Sequence, residues 1–301
     1  MSLTIRWLLS AVVAISASAT FAQEIKPVAK PAAKKSDLKY IRVVKNDKEE
    51  PIALETSVIR FIPKADEASK PTVEVDLIGA VHVGEKSYYE ELNRRFKKYD
   101  AVLYELVAPE GKKPAKDTEK GIPTHPIAGL QVGMQSMLNL EHQLQHVDYQ
   151  QANFIHADMS PEEFDKKMKD RGESFMQMFF RAMGHGLAQQ GKKDGGTKDT
   201  ELFFALFAKD RALKMKRAMA EQFENLEEQM SVLEGDNGST IITERNRKAL
   251  EVLRREMGKG TKKIAIFYGA GHFPDMEQRL LDEFGLKRVN EEWVTAWKLE
   301  K

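Results

Sequence analysis

A strand, a helix and a second strand follow one another within residues 72–107, and this spacing constrains the fold more than any other feature of the sequence. TVEVDLIGAV (72–81) is apolar enough for an interior strand, 86–98 has a helical pattern, and AVLYELV (101–107) is again an apolar strand. Because a crossover helix returns the chain to the same edge, strands 72–81 and 101–107 are predicted to be parallel neighbours.

Further elements extend this unit on both sides. Additional strands are predicted over 39–44, 52–62, 262–270 and 291–299. Additional helices are predicted over 126–150, 243–257 and 274–285, the last with a glycine stop, and a predominantly helical stretch covers 161–235. Ser160, Pro161 and Glu163 form a capping-box signature at the start of that stretch. The fold class is therefore α/β: a mixed, largely parallel sheet flanked by helices, in one domain over 38–301. The domain has a long helical insertion over about 126–257, whose Met- and Phe-rich part covers about 160–235.

The first residues read as an export signal rather than as part of the fold. Residues 1–22 contain one arginine, a short apolar run from Trp7 to Ile15, and small residues ending at Ala22. This pattern predicts a secretory signal peptide cleaved after Ala22, or after Ala17-Ser18-Ala19, and an uncleaved anchor is the alternative. Residues 23–37, rich in Pro, Ala and Lys, are expected to form a flexible tether. The protein is thus predicted to be exported, periplasmic or secreted, with no membrane span after cleavage.

Composition excludes several classes of function. A net charge of +1 with 42% hydrophobic residues argues against dominant disorder and against a nucleic-acid partner. The absence of cysteine excludes disulfides, thiolate catalysis and Cys-ligated metals, so any metal must bind His, Asp, Glu or backbone oxygen. The sequence also lacks a Gly-x-Ser-x-Gly elbow, a Walker loop and a dinucleotide Gly-x-Gly-x-x-Gly motif.

Two Gly-x-x-His elements carry the predicted chemistry. Gly79 opens the first, which ends at His82, and Gly269 opens the second, which ends at His272; both follow predicted strands. Ligands of open parallel sheets sit beyond the carboxyl ends of the strands, where glycine lets the backbone approach closely. A single histidine at such a position is more often structural, but two of them can converge on one metal ion or substrate.

Glu105 and Arg245 are the leading charged candidates beside these histidines. Glu105 interrupts the apolar strand AVLYELV, where a carboxylate is costly unless it is paired or coordinated. It is expected to be a third metal ligand or a general base. Arg245 begins a helix in TERNRKAL. It is predicted either to pair with Glu105, to stabilise an oxyanion, or to be a solvated helix residue.

The remaining histidines favour structural interpretations. His142 and His146 are four residues apart and are expected on one polar helix face, although such a pair can bind a metal. His156 precedes a helix start and is expected to serve in local capping. His125 and His185 belong to no recognisable constellation.

Together these residues resemble the TraB/PrgY/GumN group of proteins, which includes the TIKI proteins. The resemblance is carried by DLIGAVHVGEKSYYEELNRRFKKYDAVLYEL and by ERN followed by IAIFYGAGHFPDMEQRLLDEFGLKRV. The family is marked by two Gly-x-x-His motifs, a glutamate and an arginine, which match His82, His272, Glu105 and Arg245. LNLEHQLQ (138–145) is similar to the family's Leu-Glu…Gln segment and adds Glu141. Membership implies an erythromycin-esterase/ChaN-like α/β fold and, through animal members, metal-dependent peptidase activity with Mn or Co.

The expected function is therefore that of an exported hydrolase. His82, Glu105 and His272 would bind a divalent metal (Mn, Co or Zn), and the substrate would be a peptide or a small ester. One alternative is a metal-independent, histidine-based esterase-like hydrolase. Another is a non-catalytic periplasmic protein that binds a metal complex or haem, which the Met-rich insertion would suit.

Overall fold

The computed structural model describes residues 39–64, 73–114, 138, 140–173, 210–223 and 238–300. The strands within these ranges are β1 (Ile41–Lys45), β2 (Pro51–Pro63), β3 (Glu74–Ala80), β4 (Val83–Gly84), β5 (Ala101–Tyr104), β6 (Glu141–His142), β7 (Phe154–His156), β8 (Lys263–Gly269) and β9 (Leu286–Lys298). The α-helices are α1 (Lys86–Phe96), α2 (Gln143–His146), α3 (Pro161–Asp170), α4 (Arg211–Phe223), α5 (Arg245–Gly258) and α6 (Phe273–Glu283). A π-helical turn (Thr240–Glu244) precedes α5, and a 3₁₀ turn (Ala270–His272) precedes α6.

The described part of the chain forms a mixed seven-stranded sheet and a small two-stranded one. Strands β3, β8, β5 and β7 lie side by side in this order and are all parallel. Strand β2 is antiparallel to its neighbours and pairs with β1 and then β3 along one edge and with β9 along the other. The α/β fold with a largely parallel sheet flanked by helices is therefore confirmed.

Strands 72–81 and 101–107 were predicted to be parallel neighbours, and this prediction is wrong in one respect. The two strands, β3 and β5, are parallel, but β8 lies between them and pairs with both. The crossover through α1 thus skips one position, which β8 fills from a point about 160 residues later in the chain. Spacing along the sequence reveals the direction of such strands, whereas the order within the sheet depends on a distant segment.

The core explains why these segments adopt their structures. Every residue of β3 after Glu74 is buried, and so are five consecutive residues of β8, as expected for strands covered on both faces. Helix α1 buries Tyr88, Tyr89, Leu92 and Phe96 along one face. Helix α6 ends before Gly285, whose φ of 65° lies in the left-handed region that glycine adopts without strain. The predicted glycine stop is confirmed.

Two regions differ from the sequence-based expectations. The helix predicted over 126–150 is wrong for residues 140–150, where Glu141–His142 pairs with Val83–Gly84 as β6 and only Gln143–His146 is α-helical. Strand β7 was not predicted, since three residues are too few for a periodic pattern. The capping box at Ser160 is confirmed, with its hydroxyl accepting from the Glu163 amide and the Glu163 carboxylate accepting from the Ser160 amide.

Several predicted features lie outside the described residues. These are the signal peptide (1–22), the tether (23–37), His125, His185 and most of the Met- and Phe-rich part of the insertion. Within the described ranges, no helix is both long and apolar enough to cross a membrane.

Candidate functional site

Polar side chains follow all four parallel strands at the same edge of the sheet. Because β3, β8, β5 and β7 run in one direction, their carboxyl ends meet there. His82 follows β3, Glu105 follows β5, Asp158 follows β7, and His272 lies three residues beyond β8. The register pairs Ala80 with Gly269, so the two Gly-x-x-His elements lie on adjacent strands.

Glu105 lies at the centre of the polar group at this edge of the sheet. Its Oε1 accepts a hydrogen bond from Arg245 Nη2 at 2.7 Å, and its Oε2 accepts one from the Gly269 amide at 2.6 Å. Burial opposes ionisation of Glu105, but the neighbouring positive charge, that of Arg245 foremost, outweighs it and holds the pKa of the carboxyl well below its ordinary value of 4.5. Glu105 is therefore a carboxylate at neutral pH, with one donor fixed on each oxygen.

Arg245 joins two carboxylates that come from different strands. Besides Glu105, it binds Asp158 through two hydrogen bonds, Nε to Oδ1 at 3.0 Å and Nη2 to Oδ2 at 2.6 Å. Burial alone would lower the pKa of Arg245, but Glu105 and Asp158 raise it above its ordinary value. Of the roles considered for Arg245, the geometry shows pairing with Glu105. The planar guanidinium thus holds Glu105 in a fixed position.

The π-helical turn before α5 accounts for the position of Arg245. Its last residue, Glu244, is buried and binds Lys167 Nζ at 2.8 Å, which ties the turn to α3. The turn is capped by Ser239, whose hydroxyl accepts from the Ile242 amide at 3.2 Å. Glu244 thus reaches α3, and the next residue, Arg245, reaches the sheet edge. Such π turns are frequent at functional sites.

Asp158 and Tyr268 belong to this cluster but were not predicted from the sequence. The Asp158 side chain is completely buried, and its Oδ1 also accepts from the Met159 amide. Tyr268 donates its hydroxyl to the Ala157 carbonyl at 2.5 Å. Asp158 precedes a helix cap, where an acidic residue is unremarkable, so only its position two residues beyond β7 distinguishes it.

His272 faces Glu105 with one ring nitrogen and Asn246 with the other. Its Nε2 lies 3.5 Å from Glu105 Oε1, and its Nδ1 lies 2.6 Å from Asn246 Oδ1. The ring packs edge-on against Tyr268, with centroids 5.2 Å apart. Both Asn246 and His272 are buried. Asn246 was also missed, although its place directly after Arg245 in TERNRKAL was a usable signal.

His82 lies at the same edge but in a different environment. Its side chain is exposed, and it is close enough to contribute to the lowered pKa of Glu105. The His82 carbonyl accepts from the Gln143 amide at 2.9 Å. Gln143 in turn donates from Nε2 to the Tyr149 hydroxyl at 2.8 Å. The structure thus brings Glu105, Arg245 and His272 into contact and places His82 beside them.

The other predicted residues have local partners. The Glu141 carboxylate binds His146 Nε2 at 3.1 Å, and His142 Nδ1 accepts from the Leu144 amide as the cap of α2. Burial, and then His82, lowers the pKa of His142 below its ordinary value of 6.5. His156 does not cap a helix as expected; it lies in β7, and its Nε2 is 2.6 Å from the Leu106 carbonyl oxygen.

The two motif glycines serve different purposes. A Cβ on Gly269 would lie 3.3 Å from Glu105 Oε2, so the absence of a side chain lets this carboxylate reach the Gly269 amide. A Cβ on Gly79 would instead lie 3.2 Å from the Ser57 carbonyl oxygen on β2. Gly269 therefore shapes the site, whereas Gly79 permits the close approach of two strands.

The donors at this edge fit a divalent cation in part. Two ligands of a tetrahedral ion, each at about 2.1 Å, stand about 3.4 Å apart, which is close to the 3.5 Å between His272 Nε2 and Glu105 Oε1. Counting Glu105, Asp158 and Arg245, the fixed charges sum to one negative charge, which also suits a cation. Across the described ranges, however, no three His, Asp or Glu side chains are arranged to hold a metal. The third donor, His82, would have to turn toward the other two.

Comparison of the chain with models of known protein families, with curated proteins and with solved structures found no match.

Proposed function

We propose that this protein is an exported hydrolase of the TraB/PrgY/GumN type, acting on a peptide or small ester carbonyl at the edge formed by Glu105 and His272. The observation that carries the proposal is the 3.5 Å between His272 Nε2 and Glu105 Oε1, at a point where the other polar atoms of both groups already have partners. A carboxylate and an imidazole fixed in this way form an acid–base pair at the carboxyl ends of parallel strands.

The residues of the chain suffice for the proton movements of hydrolysis. A water within hydrogen-bonding distance of Glu105 Oε1 and His272 Nε2 would be oriented by the carboxylate while its oxygen attacks the carbonyl carbon. His272 Nε2 takes the proton that the water loses. As the C–N or C–O bond breaks, the same nitrogen returns that proton to the leaving amine or alcohol. Arg245 keeps Glu105 ionised and in place throughout, because its guanidinium is held by both Glu105 and Asp158.

We further propose that the site works with a divalent metal (Mn²⁺, Co²⁺ or Zn²⁺) held by Glu105, His272 and His82. When bound, such an ion would polarise the carbonyl and lower the pKa of a coordinated water. The second candidate is the same hydrolysis without a metal, and it is favoured by the absence of a three-donor group among the described residues.

The test compares variants of the mature chain on a peptide library and a set of small esters. Glu105→Gln and His272→Ala are expected to lose most activity, at least about 100-fold, because each removes one half of the acid–base pair. Glu256→Gln is the matched control, since Glu256 is also a buried carboxylate, paired with Lys259 at the other end of α5. Equal turnover in wild type, Glu105→Gln and His272→Ala would refute the hydrolase at this site.

Metal dependence is tested on the same preparation. Loss of activity on exhaustive chelation and its return with Mn²⁺, Co²⁺ or Zn²⁺ would support the metal-dependent reaction, with His82→Ala weakening the metal response. Undiminished hydrolysis after chelation would select the metal-independent reaction. Stoichiometric uptake of a metal complex or haem, with no product from any substrate, would instead indicate a binding protein.

A further inference from the structure

We infer that Asn246 is a positioning residue that fixes the ring tautomer of His272 and so turns the lone pair of Nε2 toward Glu105. This inference deepens the proposed function and rests on it, since there Nε2 is the nitrogen that receives a proton. The two residues are 0% and 5% exposed, so bulk water does not compete for their hydrogen bonds.

The orientation of the Asn246 amide follows from its other partners. Its Nδ2 donates to the His272 carbonyl oxygen at 3.0 Å and to Asp275 Oδ2 at 2.9 Å. A carbonyl oxygen and a carboxylate oxygen only accept, so the atom between them must be the NH₂ group. Asp275 is itself held by Arg279, whose Nε donates to the same Oδ2 at 2.8 Å. The amide is thereby fixed with Oδ1 toward the imidazole ring.

The proton on the ring follows from that orientation. Asn246 Oδ1 can only accept, and it lies 2.6 Å from His272 Nδ1, so Nδ1 must carry a hydrogen. In a neutral imidazole the other nitrogen, Nε2, is then unprotonated. The opposite tautomer would set the lone pair of Nδ1 against that of Oδ1 in a buried place, at a cost in free energy.

This tautomer leaves His272 Nε2 and Glu105 Oε1 suited to bind a water molecule or a cation together. With Nδ1 protonated, the lone pair of Nε2 and the Oε1 of Glu105 face each other across 3.5 Å. Two electron-rich atoms at this separation repel unless a water hydrogen or a cation lies between them. Two consecutive residues thus position the acid–base pair. Arg245 holds the carboxylate of Glu105, and Asn246 keeps the proton of His272 on Nδ1.

The tautomer can be measured without substrate. We would record two-bond ¹⁵N–¹H correlation spectra of protein labelled at its seven histidines, at a pH of about 8, where an ordinary imidazole of pKa about 6.5 is neutral. A His272→Gln spectrum assigns the His272 signals. We expect wild type to show a protonated Nδ1 and an unprotonated Nε2. In Asn246→Leu we expect the proton to move to Nε2 or to divide between both nitrogens, whereas Asn246→Gln keeps both the acceptor oxygen and the NH₂ donor and should keep the tautomer.

A second asparagine provides the matched control. Asn93 also holds a histidine-containing segment, donating to the His146 carbonyl at 2.7 Å and accepting from the Asp148 amide. Asn93→Leu should leave the His272 tautomer unchanged. On substrates hydrolysed by wild type, Asn246→Leu should lower kcat by about 10- to 100-fold, as loss of an orienting partner does, and Asn246→Gln should lose less.

A wild-type spectrum with the proton on Nε2, or with both nitrogens protonated, would overturn the inference, as would a folded Asn246→Leu variant that keeps the wild-type tautomer. If Asn246→Leu does not fold, the wild-type spectrum still decides, because it must show the Nδ1–H form. The expected tautomer in a protein that hydrolyses no substrate would support the role of Asn246 while refuting the hydrolase, so the two failures are distinguishable.

Discussion

Replacing Arg245 by methionine is the most informative perturbation of stability, because it leaves a buried carboxylate, Asp158, and a mostly buried one, Glu105, without their cation. The Arg245 side chain is 11% exposed, Glu105 14% and Asp158 0%. Removing one partner of a buried ion pair typically costs about 3–5 kcal/mol, since the remaining charge stays desolvated. We therefore expect Arg245→Met to lose about 3–5 kcal/mol of the free energy of unfolding at pH 7, measured by urea denaturation monitored by circular dichroism.

The loss of unfolding free energy in Arg245→Met should be larger at neutral pH than at acidic pH. In the wild type the pKa of Glu105 is lowered, so its ionisation stabilises the fold above its ordinary, unfolded pKa of 4.5, and this contribution is lost as pH falls through the folded pKa. Without Arg245, the largest influence that lowers the pKa of Glu105 is gone while burial still raises it, so the pKa is higher in the variant than in the wild type. The stability difference due to Glu105 is then largest above both pKa values, and it shrinks as pH falls between them by up to about 1.4 kcal/mol per pH unit.

The difference between wild type and Arg245→Met should thus be greatest at neutral pH and narrow toward pH 4. Arg94→Met is the control, because Arg94 is 64% exposed and pairs with Glu91 at the surface. Such a pair contributes about 0–1 kcal/mol, and its removal should cost little. A deficit under about 1 kcal/mol for Arg245→Met, or one of equal size at pH 4 and pH 7, would refute the assignment of a buried, ionised Glu105 held by Arg245.

Three further predictions concern the framework of the site. Gly269→Ala should lower the unfolding free energy by about 1–3 kcal/mol through crowding against Glu105, whereas Gly258→Ala, with nothing within 4 Å of the added carbon, should not destabilise in the same urea titration. Ser160→Ala should cost about 1 kcal/mol by removing a helix cap, and unchanged turnover would show that this cap is purely structural. Tyr268→Phe should lower the thermal midpoint, because a buried hydrogen bond worth about 0.5–1.5 kcal/mol is lost; an unchanged midpoint in calorimetry would argue against that bond.

The sequence was sufficient for the elements whose signal is local. The apolar run of β3, the glycine stop after α6 and the capping box at Ser160 each depend on neighbouring residues, and each was predicted correctly. Glu105 and the two strand-end histidines were singled out for the same reason, since a charge in an apolar strand and a Gly-x-x-His after one are visible without the fold.

Elements that depend on distant partners were missed. Glu141–His142 forms a strand because its backbone pairs with that of Val83–Gly84. The residues near 141 contain no pattern that would predict this partner. Asp158 is an ordinary residue before a helix cap until β7 places it within reach of a guanidinium 87 residues later. Asn246 likewise acquires its role only through His272, 26 residues further along.

The amino-acid sequence by itself determined the α/β class, the parallel direction of β3 and β5, and the residue types available for chemistry, because these follow from hydrophobic periodicity, the length of the connection and side-chain identity. Only the tertiary structure decided that β8 lies between β3 and β5 and that Arg245 bridges two carboxylates. The physical reason is that strand order and the pairing of buried charges are settled by contacts between segments far apart in the chain. Their energies depend on burial and on distances of a few ångströms, which the order of residues does not contain.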